Sequence, residues 1–306
     1  MLHVRCLLAG ILAALSIAAS QAAPAEPRLE ILVYHEIRDG AQGPADGPTA
    51  ISLSRFASQM RYLHERGYAT LSTAEVVDFI KGVGALPAAK AVAIHFDDGW
   101  KSAQLALPVL ERYRFKATFW IFPGAGIGWP YMDWAEVSAI ARNPRFEVLS
   151  HTMTHPWKDG DTLLDWLHGR TPGKGVEQAR WELAESRRVL EQKLRHPVHY
   201  LAWPRGLYDD TLIRLATDAG YAGLFTIDDG FNERNGDVLR IRRTMINGAC
   251  DDLAFVRILA DGKYRDCSAA AKRPQDGEDQ ARGRTPRTAL DLCLASSAGR
   301  RYSAND

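Results

Sequence analysis

The chain lacks net charge: 38 Lys and Arg stand against 37 Asp and Glu in 306 residues, a formal balance of +1 at pH 7. With no global positive field to condense on a phosphate backbone, the charge does not point to non-specific nucleic-acid binding. Cysteine is scarce, with four residues and no CxxC pair, which excludes a cysteine-built zinc ribbon. There is no internal repeat. No apolar run reaches the roughly 20 residues needed to span hydrocarbon as a helix. The remaining composition is 46% hydrophobic and 25% charged, with 25 Gly and 15 Pro. That excludes a disordered chain, a collagen-like fibre and a membrane bundle, and leaves one large globular domain or two small ones.

The N-terminus sets the compartment. A short n-region, the apolar run Leu7 to Ala19, the small residues Ser20 to Ala23 and then Pro24 form the pattern of a secretory signal. Residues 1–22 are expected to be that signal, and the product to be secreted or periplasmic; an uncleaved N-terminal anchor is the alternative. Cys6 lies inside the apolar run, ahead of any cleavage point, and does not look like a lipid-modified cysteine. Export leaves Cys250, Cys267 and Cys293. In an oxidising compartment the favoured pair is Cys267–Cys293, because both lie in one tail; the alternative is that all three stay unpaired.

Short apolar runs alternate with amphipathic stretches, which is the α/β pattern. Strands are expected at Leu29–Tyr34, Ala91–Phe96, Ala117–Phe122, Phe146–Ser150, Tyr200–Trp203, Gly223–Thr226 and Leu239–Ile241. Helices are expected at Leu53–Arg66 after a Ser52 cap, and at Thr73–Lys81, Trp134–Arg142, Val176–Leu194 and Thr211–Ala219. The charges of Val176–Leu194 read as a solvated face, with Trp181, Leu183, Val189, Leu190 and Leu194 as its packing stripe. Trp157–Gly175 reads as a long loop. From Lys263 the apolar periodicity fades, so residues 23–262 are taken as the folded domain and 263–306 as a poorly ordered tail with room for a short helix at Arg287–Leu294.

Three strand ends carry polar residues. Ile94-His95-Phe96-Asp97-Asp98-Gly99-Trp100 closes an apolar run with two carboxylates, which can reach the crevice at the strands' carboxyl ends or form only an acidic turn. In Ser150-His151-Thr152-Met153-Thr154-His155-Pro156, two His four apart can share one metal with an Asp, although such a pair alone is often coincidence. Pro156 places them on a strand-to-loop exit, unlike a helical HExxH motif. Trp203-Pro204-Arg205-Gly206 fixes a tight turn whose backbone N–H could serve an oxyanion.

Together and in this order, the three segments resemble the polysaccharide deacetylases, carbohydrate esterases with a NodB homology domain. Asp97, Asp98 and Gly99 match the Asp-Asp-Gly motif; His151, Thr152 and His155 match His-[Ser/Thr]-x-x-His. The resemblance covers about Leu29 to Leu259. Tyr34-His35-Glu36-Ile37, Trp203-Pro204-x-Gly206 and Phe225 to Gly230 look like the branch that N-deacetylates poly-β-1,6-N-acetylglucosamine. The pattern departs at Ala202, where the wider family usually has Arg, and at Arg205, where an aromatic residue is common. There is also no room for the second, C-terminal glycoside-binding domain often found in that branch.

The resemblance implies an α/β, (β/α) barrel-like deacetylase fold, distorted and circularly permuted, acting on an N-acetylated polysaccharide. It implies that Asp98, His151 and His155 hold one divalent metal, and that Asp97 is the general base. His35 would be the acid for the leaving amine; a buried core histidine at a strand end is the other reading of it. The turn at Trp203, Pro204, Arg205 and Gly206 would face the oxyanion and substrate. Zinc suits an Asp-His-His set, as do cobalt, nickel or iron. No nucleic acid and no stable membrane span are expected as partners. The alternatives are deacetylation of peptidoglycan, chitin or an O-acetylated polymer, or glycan binding on an inactive scaffold. Trp100, Trp129, Trp134 and Trp157 flank motifs or loops and could offer faces to sugars, although packing is the commoner role of any one Trp.

Overall fold

The computed structural model describes residues 27–40, 48–124, 127–265 and Cys267. The expected signal over residues 1–22, Cys293 and the helix at Arg287–Leu294 lie outside the described residues. In chain order the strands are β1 (Glu30–Tyr34), β2 (Glu36–Arg38), β3 (Ala50–Ser52), β4 (Ala69–Leu71), β5 (Ala91–Phe96) and β6 (Ala117–Ile121). They continue as β7 (Phe146–Ser150), β8 (Trp157–Lys158), β9 (Asp161–Thr162), β10 (Tyr200–Ala202), β11 (Gly223–Phe225) and β12 (Thr244–Met245). Eight of them form one sheet in the order β11-β10-β7-β6-β5-β1-β12, with β4 also on β5. All its ladders are parallel. Every residue of β1, β5 and β6 is buried, so their sequences are largely apolar and not alternating, with Glu30, His95 and Thr118 the buried polar exceptions.

The expected strand at Leu239–Ile241 does not form. Ile241 alone bridges Phe225, donating its N–H to Leu224 O at 2.9 Å and accepting from Thr226 N at 2.8 Å. Three residues on, Thr244 pairs with Leu32 of β1. Residues 241–245 therefore cross from the β11 edge to the β1 edge and curl the sheet into a half-barrel. Arg242 and Arg243 supply the reason, since neither can continue an apolar strand and the Arg243 side chain turns inward with no exposure at all.

Around the sheet lie α1 (Leu53–Glu65), α2 (Thr73–Ile80), α3 (Leu107–Arg112), α4 (Trp134–Ala141), α5 (Leu163–Leu167), α6 (Val176–Leu194), α7 (Asp210–Asp218) and α8 (Asp252–Asp261). Six begin with a side chain accepting from a first-turn N–H: Ser52, Ser72, Asp133, Thr162, Asp209 and Asp251. The stretch expected as a loop at Trp157–Gly175 contains the β8–β9 hairpin and α5. In α6 the expected packing stripe is rotated: Ala179, Glu182, Leu183, Ser186 and Leu190 are buried, while Trp181 is 49% exposed.

The favoured pairing Cys267–Cys293 is also corrected, because the disulfide joins Cys250 to Cys267 with their Cα atoms 4.9 Å apart. Gly262, at φ 67°, ends α8 in the left-handed conformation, and the chain turns back toward the start of that helix. Tyr264 N–H then donates to Asp229 Oδ2 at 2.9 Å.

One buried group works against stability. Glu30 in β1 is 2% exposed, and neither carboxyl oxygen has a hydrogen-bond partner among the described residues. The neighbouring Thr244 hydroxyl donates to Gly262 O instead. Burial, the largest cause, and the nearby Asp229 and Asp261 charges push the Glu30 carboxyl up from 4.5 to about 8. The unfolded chain gives up this proton first, so stability is greatest below pH 4.5 and declines as pH rises toward 8. Urea unfolding of Glu30→Gln at pH 5 and pH 8.5 should lack most of the wild-type decline, a difference on the order of a few kcal/mol. Equal pH dependence in the two proteins would contradict this.

Candidate active site

Because the sheet is parallel, the polar segments that follow β1, β5, β7 and β10 emerge at one edge, and they hold the residues expected to carry chemistry. The backbone there is bent out of its ordinary range. Asp98, Thr152, His155 and Arg205 have φ of 70°, 66°, 53° and 56°, values that non-glycine residues hold only when their surroundings impose them. Gly206, at φ 65°, admits no other residue: a Cβ would stand 2.3 Å from Ile227 Cγ1 and 2.9 Å from its backbone N.

Asp98, His151 and His155 converge at this edge. His151 Nε2 lies 3.4 Å and His155 Nε2 3.3 Å from Asp98 Oδ1, and the two imidazole centroids are 4.5 Å apart. One donor atom from each of the three falls within 4.8 Å of the others, a donor set that could hold a metal ion. The orientation of His151 fits that use. Its Nδ1 is 2.8 Å from Ala202 O, an atom that only accepts, so Nδ1 carries the hydrogen and Nε2 keeps its lone pair toward Asp98. Trp100 Nε1–H donates to Asp98 Oδ2 at 3.0 Å, and His155 stacks on Phe122 at 4.9 Å.

Burial is the strongest influence on the charges of His155, Asp98 and Asp97. It brings His155 down to about 4, against the opposing pull of Asp98. In Asp98 burial raises the pKa, but the surrounding imidazoles outweigh it and the carboxyl ends far below the usual range. Asp97, 2% exposed, is likewise raised by burial and then held below its ordinary value by Arg243, His151 and His35. Arg243 makes two 2.8 Å hydrogen bonds to Asp97, Nη1 to Oδ1 and Nη2 to Oδ2, and its Nε donates to Thr226 O at 2.7 Å. This fork fixes both the charge and the orientation of Asp97.

His35 directly follows β1. Tyr34 is in register with Phe96, and Asp97 N–H donates to Tyr34 O at 2.9 Å, so His35 and Asp97 occupy adjacent strand ends. The His35 charge is felt at Asp97, Asp98 and His155. His95, by contrast, is fully buried between Trp120 and Phe225, and neither ring nitrogen has a partner among the described residues. Burial and the Arg243 charge hold its pKa well below the usual histidine range, so it is no proton donor at neutral pH.

At the third segment Trp203 is fully buried, and Pro204 is buried beside it. The Arg205 guanidinium leaves the turn and donates from Nη1 to Trp157 O at 2.8 Å and Asp159 Oδ1 at 2.7 Å. Asp228 accepts from Tyr208 through its side chain and from Arg243 N–H through its carbonyl, while Asp229 accepts from Tyr264 N–H. That Asp-Asp-Gly copy is a structural turn.

Two contributors escape sequence reasoning. Arg243 sits in a stretch of many charged residues, with no local mark to tell which one turns inward. Glu182, read as part of a solvated face, is 1% exposed. It accepts the N–H groups of Met153 and Thr154, each at 2.8 Å, and the Thr154 hydroxyl, so it holds the loop between the two histidines. Its place one residue before Leu183, on the face of Ala179 and Ser186, was the available signal.

Residues 86–224 match the family model for polysaccharide deacetylase, a range that contains Asp97, Asp98, His151, His155 and the Pro204–Gly206 turn but not His35 or Arg243. YxkH of Bacillus subtilis (strain 168), a protein named for polysaccharide deacetylase activity, is 27% identical over 229 residues, covering 74% of this chain and 75% of its own. The poly-β-1,6-N-acetyl-D-glucosamine N-deacetylase of Escherichia coli (strain K12) is 24% identical over 228 residues. That match covers 64% of this chain and 33% of the enzyme, so the chain spans about a third of the relative's length. In fold, IcaB from Ammonifex degensii superposes with a TM-score of 0.63 at 23% identity, over 76% of this chain and 96% of that one. The motif geometry and the matched range show that this chain carries a polysaccharide deacetylase domain, the domain of a group of hydrolytic enzymes.

Proposed function

We propose that this protein is a metal-dependent N-deacetylase of a β-linked N-acetylglucosamine polysaccharide, releasing acetate and leaving a free amine on the sugar. The observation that carries the proposal is a buried carboxylate, Asp97, held by Arg243 beside the Asp98–His151–His155 donor set. The similarity to the poly-β-1,6-N-acetyl-D-glucosamine N-deacetylase supports the substrate class. An extracytoplasmic setting is supported by the Cys250–Cys267 disulfide and the signal-like N-terminus. Among the described residues no helix is long and apolar enough to cross a membrane.

Asp98, His151 and His155 would hold the divalent cation, zinc being the first candidate for this donor set. Bound there, the cation supplies Lewis acidity toward the acetamide oxygen and acidifies water. Asp97 takes the proton of the attacking water, and Arg243 keeps it ionised and pointed at that proton. In the Pro204–Gly206 turn, where proline has no N–H and the Gly206 N–H is donated to Trp203 O, the Arg205 backbone N–H is the one that would meet the developing oxyanion. His35 returns a proton to the departing amine, whose C–N bond breaks as the acetate forms.

The direct test is incubation of the zinc-loaded protein with defined β-1,6 and β-1,4 N-acetylglucosamine oligomers while acetate release is followed. Acetate should appear from at least one series, faster from β-1,6; no acetate from either would reject the substrate class. Within the site, His151→Ala and His155→Ala should each lose bound metal by elemental analysis while retaining their circular dichroism. Asp97→Asn should retain metal and lose turnover on the order of 10²–10⁴-fold. Metal loss in Asp97→Asn equal to that in Asp98→Asn would exchange the two roles. His35→Ala should also keep its metal and lose most deacetylation, and normal turnover in that variant would remove the histidine from the mechanism.

A further inference from the structure

Three of the eight tryptophans are packed away: Trp120, Trp166 and Trp203 are 3% exposed or less. Trp129 and Trp157 are 84% and 38% exposed, and both stand on backbone tied to the active-site turns. Trp129 lies in the connection after β6, which is sewn to the turn after β5. Lys101 N–H donates to Pro130 O at 3.1 Å, Met132 N–H donates to Gly99 O at 3.0 Å, and Trp100 bridges Tyr131. Trp157 follows His155 by two residues, and its carbonyl is gripped by Arg205 of the turn after β10. Arg205 is itself only 12% exposed in its side chain, and Asp159 braces its guanidinium from the same hairpin.

In the sheet order these attachments fall on two sides of the site, Trp129 toward β5 and β6 and Trp157 toward β7 and β10. Between these two attachments lies a run of rings that ends short of both indoles: Trp100 to Tyr131 at 4.9 Å, Tyr131 to Phe122 at 5.0 Å, and Phe122 to His155 at 4.9 Å. An indole face carries negative charge density, and the faces of a β-linked pyranose present C–H bonds to it. Solvent-facing indoles on both flanks of a hydrolytic centre thus match a ligand with several consecutive sugar rings.

We propose that Trp129 and Trp157 are stacking platforms for sugars on either side of the residue being deacetylated, and that Arg205 is a positioning residue that holds Trp157 in place. The enzyme would then read an extended chain and not a single sugar or chain end. This proposal rests on the assignment of the substrate as a glycan, and it is tested by binding as well as by turnover.

Titration of metal-free protein with β-1,6 and β-1,4 N-acetylglucosamine hexamers, followed by calorimetry, should show binding. Affinity should fall about tenfold in Trp129→Ala and in Trp157→Ala, recover in Trp157→Phe and stay at the wild-type value in Trp181→Ala. Arg205→Ala should weaken hexamer binding in the same direction, and adding it to Trp157→Ala should cost nothing more, since it acts through that ring. With zinc-loaded enzyme the two Trp variants should raise KM for hexamer and leave that for the single N-acetylglucosamine unit unchanged. Wild-type affinity in both Trp variants overturns the platforms, whether or not the enzyme is an N-deacetylase. Hexamer binding lost in the variants, with no acetate released by the wild type, keeps the platforms and rejects the reaction. A wild-type protein that binds neither hexamer overturns both.

Discussion

The Asp97–Arg243 pair is the interaction on which the rest of this structure depends. Two opposite charges with 2% and zero exposure meet through paired 2.8 Å hydrogen bonds, and a third bond ties Arg243 to Thr226 O. Taking either ion out of water alone costs several kcal/mol, so the pair forms together or not at all. Asp97 ends β5, the strand that supports β1, β4 and β6; Arg243 lies in the segment that links the β11 edge to the β1 edge. Closing the curled sheet and orienting the carboxylate are therefore one event.

Such a pair stabilises a fold weakly compared with apolar side chains of the same volume. Its presence is better explained by what it does to Asp97, which is kept ionised in a place where burial alone would protonate it. The second carboxylate shows the same logic with different partners, as two imidazoles and an indole N–H surround Asp98. The two adjacent acids thus differ by environment and not by residue type, Asp97 gripped by an arginine and Asp98 exposed to histidines.

The strained loops at the strand ends are supported from the helix layer. Glu182 of α6 accepts two backbone N–H groups and a hydroxyl from residues 153–154, between the left-handed residues Thr152 and His155. One turn further, Ser186 hydrogen-bonds Ser150 and Tyr221, which joins the last residue of β7 to the same helix. Buried polar groups outside the reaction hold the reactive ones at fixed angles, as a preorganised site requires.

The sequence by itself determined the α/β class, the central strands and the order of the polar strand ends. A short, largely apolar run such as Ala91–Phe96 reads as an interior strand, and the uninterrupted helix formers of Val176–Leu194 set that helix's length locally. The place of Asp97 and His151 directly after strands, with Asp98 and His155 one and four residues further on, was equally legible. Tertiary structure alone decided which arginine of the Leu239–Leu259 stretch turns inward, that Glu182 faces the histidine loop, and that Cys250 pairs with Cys267. Those outcomes depend on contacts between residues far apart in the chain, 146 positions in the case of Asp97 and Arg243. Burial reverses the ordinary preference of a charged side chain for water only after the partner has arrived, and no local pattern records the partner's arrival.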